Sequence, residues 1–345
     1  MIAPTLDAYL DGFSRNGGRR ENQLAQTIRR LAEAAVELRA ATTHGILGEA
    51  FAGTRGSQNA DGDIQRELDF VADDLFLSAA ARAGADYYAS EEREHPVVLD
   101  NSSGVAVAID PLDGSSGIEA NISIGTIFSL LPAAGDARQT FLQSGNRQLG
   151  SGFFIYGPQL ALALTLGEGV RIFVHSQRTG TFVQAYRAVA IVPETREFAI
   201  NASNYRHWEP AVRLYVDDCF KGADGPCAKD YNMRWIASLV ADTYRILIRG
   251  GAFLYPSDAR RGYRNGRLRL LYEANPIAML VEAAGGAASN GMRRILDIPP
   301  TDLHQRTPLI FGSAREVETI MRYHADPSAI GTRDPLFGNR GLLRA

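Results

Sequence analysis

"AVAIDPLDGSSG" (residues 106–117) joins an apolar run to two aspartates three positions apart, then to a small turn rich in hydroxyls. Residues 104–109, GVAVAI, have the length and flanking of a buried strand. A strand followed by a sharp turn presents side chains at a sheet edge, where ligand sites of α/β proteins often lie. Pro111 fixes its own backbone, and Gly114 permits close approach of a ligand. Asp110 and Asp113 can then point to one place, with the Leu112 carbonyl as a third oxygen. Hard oxygen donors of this kind suit Mg²⁺ or Mn²⁺ and not zinc. Gly114, Ser115 and Ser116 add N–H groups and hydroxyls that can hold a phosphate. Asp-Pro and Asp-Gly also build plain turns. "DPLFG" at 334–338, with Phe337 in place of the second carboxylate, reads as such a turn.

Outward from this stretch, helical and β-rich patterns alternate. In "ENQLAQTIRRLAEAAVELRA", Leu24, Ile28, Leu31, Ala35 and Leu38 form one apolar helical face. The Gly-rich segment 45–63 reads as a loop, long for a passive connection. Ile64, Leu68, Val71 and Leu75 resume the helical period, with Asp69, Asp73 and Asp74 off the stripe. "NISIGTIFSLL" and several runs between 150 and 200 read as strands, and helical patterns return in "MRWIASLVADTYRILIRGG" and "NPIAMLVEAAGG". In the latter, Asn275 and Pro276 predict a cap and first turn, and Gly285-Gly286 a stop. The mixed order predicts a layered α/β architecture with a boundary near 195–200. That gives 1–196 for the metal and first phosphate, 197–330 for the sugar and second phosphate, and a 331–345 tail.

The 345 residues are 45% hydrophobic and 22% charged, with a formal charge of −3. No basic signature of nucleic-acid binding is present. No apolar run is long enough for a membrane span, and the start, "MIAPTLDAYLDGFSRNGG", lacks the pattern of a secretory signal. Cys219 and Cys227 match neither a C-x-x-C pair nor a zinc site, so they read as reduced thiols and the chain as cytoplasmic. EF-hand, Walker A, H-E-x-x-H and G-x-S-x-G signatures are missing.

Further carboxylates extend the opening motif. Glu91 and Glu92 in "ASEERE" follow a short strand, and Glu273 in "LLYEANP" sits at a strand end before a helix. Singly, each has an ordinary reading: an acidic loop, a helix-dipole partner, a solvated helix face for Asp69 and Asp74. A shared magnesium cluster explains them together. Arg267 and Arg269 alternate on one strand face, on the side of Glu273, and arginine clamps phosphate bidentately. Asn201 in a polar loop, Arg234 and Trp235 at an expected helix start, and Tyr255 complete a group suited to an anionic sugar.

Together "SEE" (90–92), "DPLDGSS", "MRWIASLVAD", "GGAFLYP", "GRLRLLYEANP" and "DIPPTDLHQRTPLIFGS" resemble class I fructose-1,6-bisphosphatase of the bacterial type, in that family's order over residues 20–320. The resemblance implies a sugar-phosphatase fold, an α-β-α-β-α layered sandwich, and hydrolysis of fructose 1,6-bisphosphate with two or more Mg²⁺ per subunit. Sedoheptulose 1,7-bisphosphate is a second candidate substrate. An inositol-phosphate-type phosphatase and a non-catalytic sugar-phosphate-binding regulator are the rivals. By position it implies Glu91, Asp110, Leu112, Asp113 and Glu273 as metal ligands. Glu92 and Asp74 would position and deprotonate the attacking water, and Asp69 would belong to a mobile-loop hinge. Asp113, Gly114, Ser115 and Ser116 would surround the 1-phosphate. Asn201, Trp235, Tyr255, Arg267 and Arg269 would surround the sugar and 6-phosphate, with Arg234 supplied by a neighbouring subunit of a homotetramer. The loop at 45–63 would close over the metals. Gluconeogenesis and the Calvin cycle are both compatible settings. Two departures stand out: Arg267 replaces the family's phosphate-binding lysine, and Trp235 its usual tyrosine. The Lys-Tyr pair of the animal AMP site is Gly104 and Val105 here, which implies weak AMP inhibition.

Overall fold

The computed structural model describes residues 3–15, 17–52, 60–99, 102–118 and 120–326, with backbone alone for 43–52 and 60–67. The motif at 334–338 and the tail lie outside the described residues, as does the centre of the expected loop at 53–59.

Helices α1 (Leu6–Arg15), α2 (Arg19–Ala52) and α3 (Ala60–Ala83) form the first layer. Leu24, Ile28, Leu31, Ala35 and Leu38 are the buried face of α2, as their spacing predicts. The described parts of segment 45–63 are helical, contrary to the loop reading: α2 runs on to Ala52 and α3 begins at Ala60. The face of α3 is also rotated from expectation. Ala72, Phe76, Ala79 and Ala80 are buried, whereas Val71 is 39% exposed. Small alanines let α3 sit close to α2 and the sheet, so size complementarity outweighs the hydrophobicity of Val71.

The second layer is a sheet in the order β2-β1-β3-β4-β5-β6-β7-β8. Its strands are β1 (Tyr87–Ser90), β2 (Val97–Val98), β3 (Val105–Asp113), β4 (Ile124–Pro132), β5 (Gly150–Tyr156), β6 (Leu160–Thr165), β7 (Val170–Ser176) and β8 (Thr181–Val189). β1 and β3 are parallel, and β3 to β8 form an antiparallel meander. Strand residues alternate between two cores: Phe128, Phe154 and Leu162 face α1–α3, and Ile127, Phe153 and Ala163 face the opposite side.

On that opposite side lie α6 (Leu239–Arg249) and α7 (Asn275–Ala283), sandwiched against a second sheet in the order β10-β9-β11-β15-β13. Its strands are β9 (Glu197–Ala199), β10 (Asn232–Met233), β11 (Ala252–Tyr255), β13 (Ala287–Ser289) and β15 (Leu309–Gly312). Strands β12 (Leu268–Arg269) and β14 (Arg306–Thr307) pair separately. Helices α5 (Pro210–Phe220) and α8 (Ala314–Ala325) cover the far face through Val212, Tyr215, Val317 and Ile320, and the short α4 (Ala137–Phe141) follows β4. The layers therefore run α-β-α-β-α. Both cysteines are free, Cys219 buried and Cys227 half-buried. Among the described residues no helix is long and apolar enough to cross a membrane.

Three local expectations change. Strand β3 does not stop before its aspartates but continues through Pro111 to Asp113. Residues 233–238 are extended or irregular, and helix α6 starts only after its cap Ser238, whose hydroxyl accepts from the Ala241 N–H. Asn275 is inside helical structure, because a single π-helical turn, Leu270–Ala274, runs directly into α7. Gly285, at φ +83°, ends α7 as predicted.

Candidate active site

Asp110 and Asp113 sit three apart, and on a regular strand they would face opposite ways. The β3–β4 pairing prevents this. Asp110 is opposite Ile127 and Asp113 opposite Gly125, so β3 carries one extra residue, a bulge. Pro111 fits there because no ladder hydrogen bond is required of it. The bulge brings both carboxylates to the end of β1, where Glu91 and Glu92 follow Ser90, and to the π-helical turn that carries Glu273. One oxygen from each of Glu91, Asp110 and Glu273 lies within 4.8 Å of the others. Asp113 is adjacent, with Glu91, Asp110 and Glu273 all within electrostatic reach of it.

Little positive charge answers this cluster. The Arg269 guanidinium is 3.4 Å from Glu91, and the Arg269 N–H donates to Glu273. The Leu112 N–H donates to Asp110 at 3.1 Å, and the Val240 N–H, in the first turn of α6, donates to Asp113 at 3.3 Å. Burial raises Asp110 and Glu273 well above the usual carboxylate range, reinforced by Glu91. Burial also lifts Asp113 to about 7 and raises Glu91, where Arg269 opposes it. Like charges buried together are costly unless a cation joins them. Glu91 Oε2 is a buried acceptor with no hydrogen-bond partner. An all-oxygen, acceptor-rich set of this kind fits a hard divalent cation.

The adjoining turn is shaped for an anion. Gly114 has φ +77°, a left-handed conformation that glycine adopts without steric cost, and it opens a 3₁₀ turn at Ser115–Gly117. A Cβ at Gly125 would lie 2.5 Å from the Phe154 carbonyl and 2.6 Å from Val240 Cγ1. Glycine there lets the start of α6 press against the sheet beside Asp113. From α3, Asp69 reaches this turn, hydrogen-bonds Ser115 and faces Glu91 and Glu92. Burial raises both Asp69 and Glu92, and their mutual repulsion pushes Glu92 further.

A second group of candidate residues is built on an aromatic stack. Trp235 stacks on Tyr255 at 6.1 Å and 6° and on Phe253 at 5.7 Å. A pocket beside it is lined by Asn201, Asn204, Tyr255, Asp258 and Arg267, among others. The Arg267 guanidinium donates to the Tyr255 hydroxyl at 3.4 Å. The Asn201 side-chain oxygen accepts from Ser203, pinning the following turn. Larger clefts lie elsewhere, around Lys229, away from the carboxylate cluster.

Residues 19–187 match the family model "Fructose-1-6-bisphosphatase, N-terminal domain", and residues 191–325 match the corresponding C-terminal model. The chain belongs to the fructose-1,6-bisphosphatase family. It is 60% identical to the class 1 fructose-1,6-bisphosphatase of Rhizobium meliloti (strain 1021) over the full length of both. It is 50% identical to that of Azorhizobium caulinodans over 94% of this chain and 100% of the relative. The crystal structure of Leishmania major fructose-1,6-bisphosphatase in holo form superposes with a TM-score of 0.83 at 29% identity, covering 94% of this chain and all of the other. The chain is thus an enzyme, a phosphatase of the fructose-1,6-bisphosphatase class.

Within this fructose-1,6-bisphosphatase framework, several expected positions move. Asp74 is turned away from the cluster; its side chain is 77% exposed and ion-pairs with Arg93 at 3.0 Å. Asp69, expected at a hinge, is the aspartate of α3 that faces Glu92. Arg269 stands with Glu91 at 3.4 Å, and its guanidinium also donates to the Arg267 carbonyl at 3.4 Å. Arg234 is on the surface, 3.5 Å from Glu197 of its own chain, and no helix begins there. Asp73, placed by the sequence off the apolar stripe, is buried: the Tyr88 hydroxyl donates to it at 2.9 Å, and Arg93 pairs with it. This network, with His304 Nε2 bonded to the Arg93 carbonyl at 3.0 Å, ties the Glu91–Glu92 turn to α3. Sequence reasoning missed it, since its members are spread over three separate segments.

Proposed function

We propose that this phosphatase hydrolyses fructose 1,6-bisphosphate to fructose 6-phosphate and phosphate with Mg²⁺, Mn²⁺ being the alternative ion. The observation that carries the reading is the convergence of buried Asp110 and Glu273 with half-buried Glu91 beside the turn at Gly114–Gly117. These three, with Asp113 and the Leu112 carbonyl, would hold two or more ions. The ions supply Lewis-acid stabilisation of charge on the transferring phosphoryl group. Ser115 and Ser116 offer hydroxyls and N–H groups to the 1-phosphate, and the start of α6 adds a favourable dipole. Glu92 and Asp69, both raised by burial and Glu92 further by the charge of Asp69, are suited to take the proton of the attacking water. Asn201, Tyr255 and Trp235 would line the sugar, and Arg267 would hold the distal phosphate. Arg234, exposed beside Met233 and Ile236, would serve the neighbouring site in a homotetramer, and a cytoplasmic setting suits the free thiols. Weak AMP inhibition is expected, because Gly104 and Val105 stand where the animal AMP site has its Lys-Tyr pair.

The test is phosphate release from fructose 1,6-bisphosphate, sedoheptulose 1,7-bisphosphate and inositol 1-phosphate, with Mg²⁺ or EDTA. Mg²⁺-dependent release from the ketose bisphosphates supports the reading, and their ratio reports the distal pocket. Release chiefly from inositol phosphate refutes the substrate assignment.

A further inference from the structure

Arg267 differs from a lysine at the same place in needing its plane fixed. A guanidinium recognises phosphate through a planar fork, so its orientation decides how many hydrogen bonds it can give. The loop between β11 and β12 supplies that orientation. The Arg267 guanidinium carbon lies 3.8 Å from the centroid of the Tyr263 ring, and the Arg260 guanidinium carbon lies 5.3 Å from the same ring. The two arginines differ in charge balance. Arg260 is neutralised by Asp258, whose carboxyl it holds down to about 2, and it also donates to Asn204 at 2.9 Å. Among the described residues Arg267 has the Tyr255 hydroxyl as a partner but no carboxylate partner, and its buried Nε is without an acceptor. The backbone holds Tyr263 in place: its N–H donates to Arg260, and its carbonyl accepts from Asp258 and Gly266.

We infer that Tyr263 is a positioning residue for substrate selection: its ring face holds the uncompensated Arg267 guanidinium open toward a phosphate at the far end of the sugar. The inference rests on the proposed assignment of Arg267 to the distal phosphate. Cation–π contact of a half-buried arginine corresponds to roughly a threefold to tenfold effect on binding.

Tyr263→Ala and Tyr263→Phe are compared with the unaltered chain on fructose 1,6-bisphosphate and on fructose 1-phosphate, which lacks the distal group. Fructose 6-phosphate binding is measured in parallel by calorimetry. Tyr263→Ala is expected to raise KM for the bisphosphate threefold to tenfold with kcat within twofold, and to weaken fructose 6-phosphate binding by the same factor. It leaves kcat/KM for fructose 1-phosphate unchanged, and Tyr263→Phe restores the bisphosphate KM to within twofold. An unchanged KM in Tyr263→Ala overturns the inference. So does an equal loss on both substrates, which marks general disturbance of the site, or a Phe variant as impaired as Ala, which assigns the effect to the hydroxyl. Failure of the unaltered chain to hydrolyse the bisphosphate refutes the proposed function instead, and is read separately.

Discussion

Replacing Asp113 by Asn should stabilise the metal-free protein. Burial lifts the Asp113 carboxyl from 3.8 to about 7, whereas in the unfolded chain it titrates near 3.9. A raised acid contributes its full stability below the unfolded pKa and loses it as pH rises through the folded one. Ionising so hindered a carboxyl at pH 8 costs the folded state on the order of 4 kcal/mol. Asn keeps the shape, and its carbonyl oxygen can still accept from the Val240 N–H, which now lies 3.3 Å from Asp113. In EDTA the variant should match the unaltered chain below about pH 4 and gain steadily between pH 4 and 7. Above that it should level off, melting about 5 °C higher for a chain of this size. Added Mg²⁺ should reverse the order, stabilising the unaltered chain more than the variant. Thermal unfolding followed by circular dichroism, from pH 4 to 8.5 with EDTA or Mg²⁺, reads both effects. An Asn variant less stable than the unaltered chain in EDTA at pH 8, or a difference independent of pH, would refute the argument that desolvated charge dominates this site.

Two more outcomes follow from the same geometry. Asp69→Asn should lower kcat by roughly 10²- to 10⁴-fold, as loss of a group handling the proton does, while Asp74→Asn stays within about threefold; steady-state kinetics at saturating Mg²⁺ separates them. Gly125→Ala should destabilise the fold by about 1–3 kcal/mol in urea unfolding and impair turnover as well, because the added methyl meets Val240 and shifts the start of α6 from Asp113.

Much of the architecture is legible in the chain because it rests on local rules. The apolar face of α2, the strand at 124–132 and the Gly285 stop of α7 each follow from periodicity or backbone freedom. What failed are places where packing overrides pattern. Val71 is exposed because alanines pack α3 more closely, and residues 233–238 are not helical because α6 starts at its Ser238 cap. Asp69 and Asp74 show the limit most clearly. Both are acidic, off the apolar stripe and five residues apart on one helix, so no property of the sequence ranks them. Only the rotation of α3 against the sheet aims Asp69 at Ser115 and Glu92 and leaves Asp74 to Arg93.

The sequence by itself determined the chemistry available: oxygen donors without a zinc set, a glycine-serine turn, and arginines among residues suited to an anionic sugar. Those depend on residue identity and short spacing alone. The tertiary structure decided which groups meet. A one-residue bulge in β3 turns Asp110 and Asp113 to the same place, and a single π-helical turn brings Glu273 to them. The stack of Tyr263 on Arg267 joins a surface loop to a strand end. Such encounters are set by register, helix rotation and loop closure, which depend on contacts between distant segments and leave no local trace in the chain.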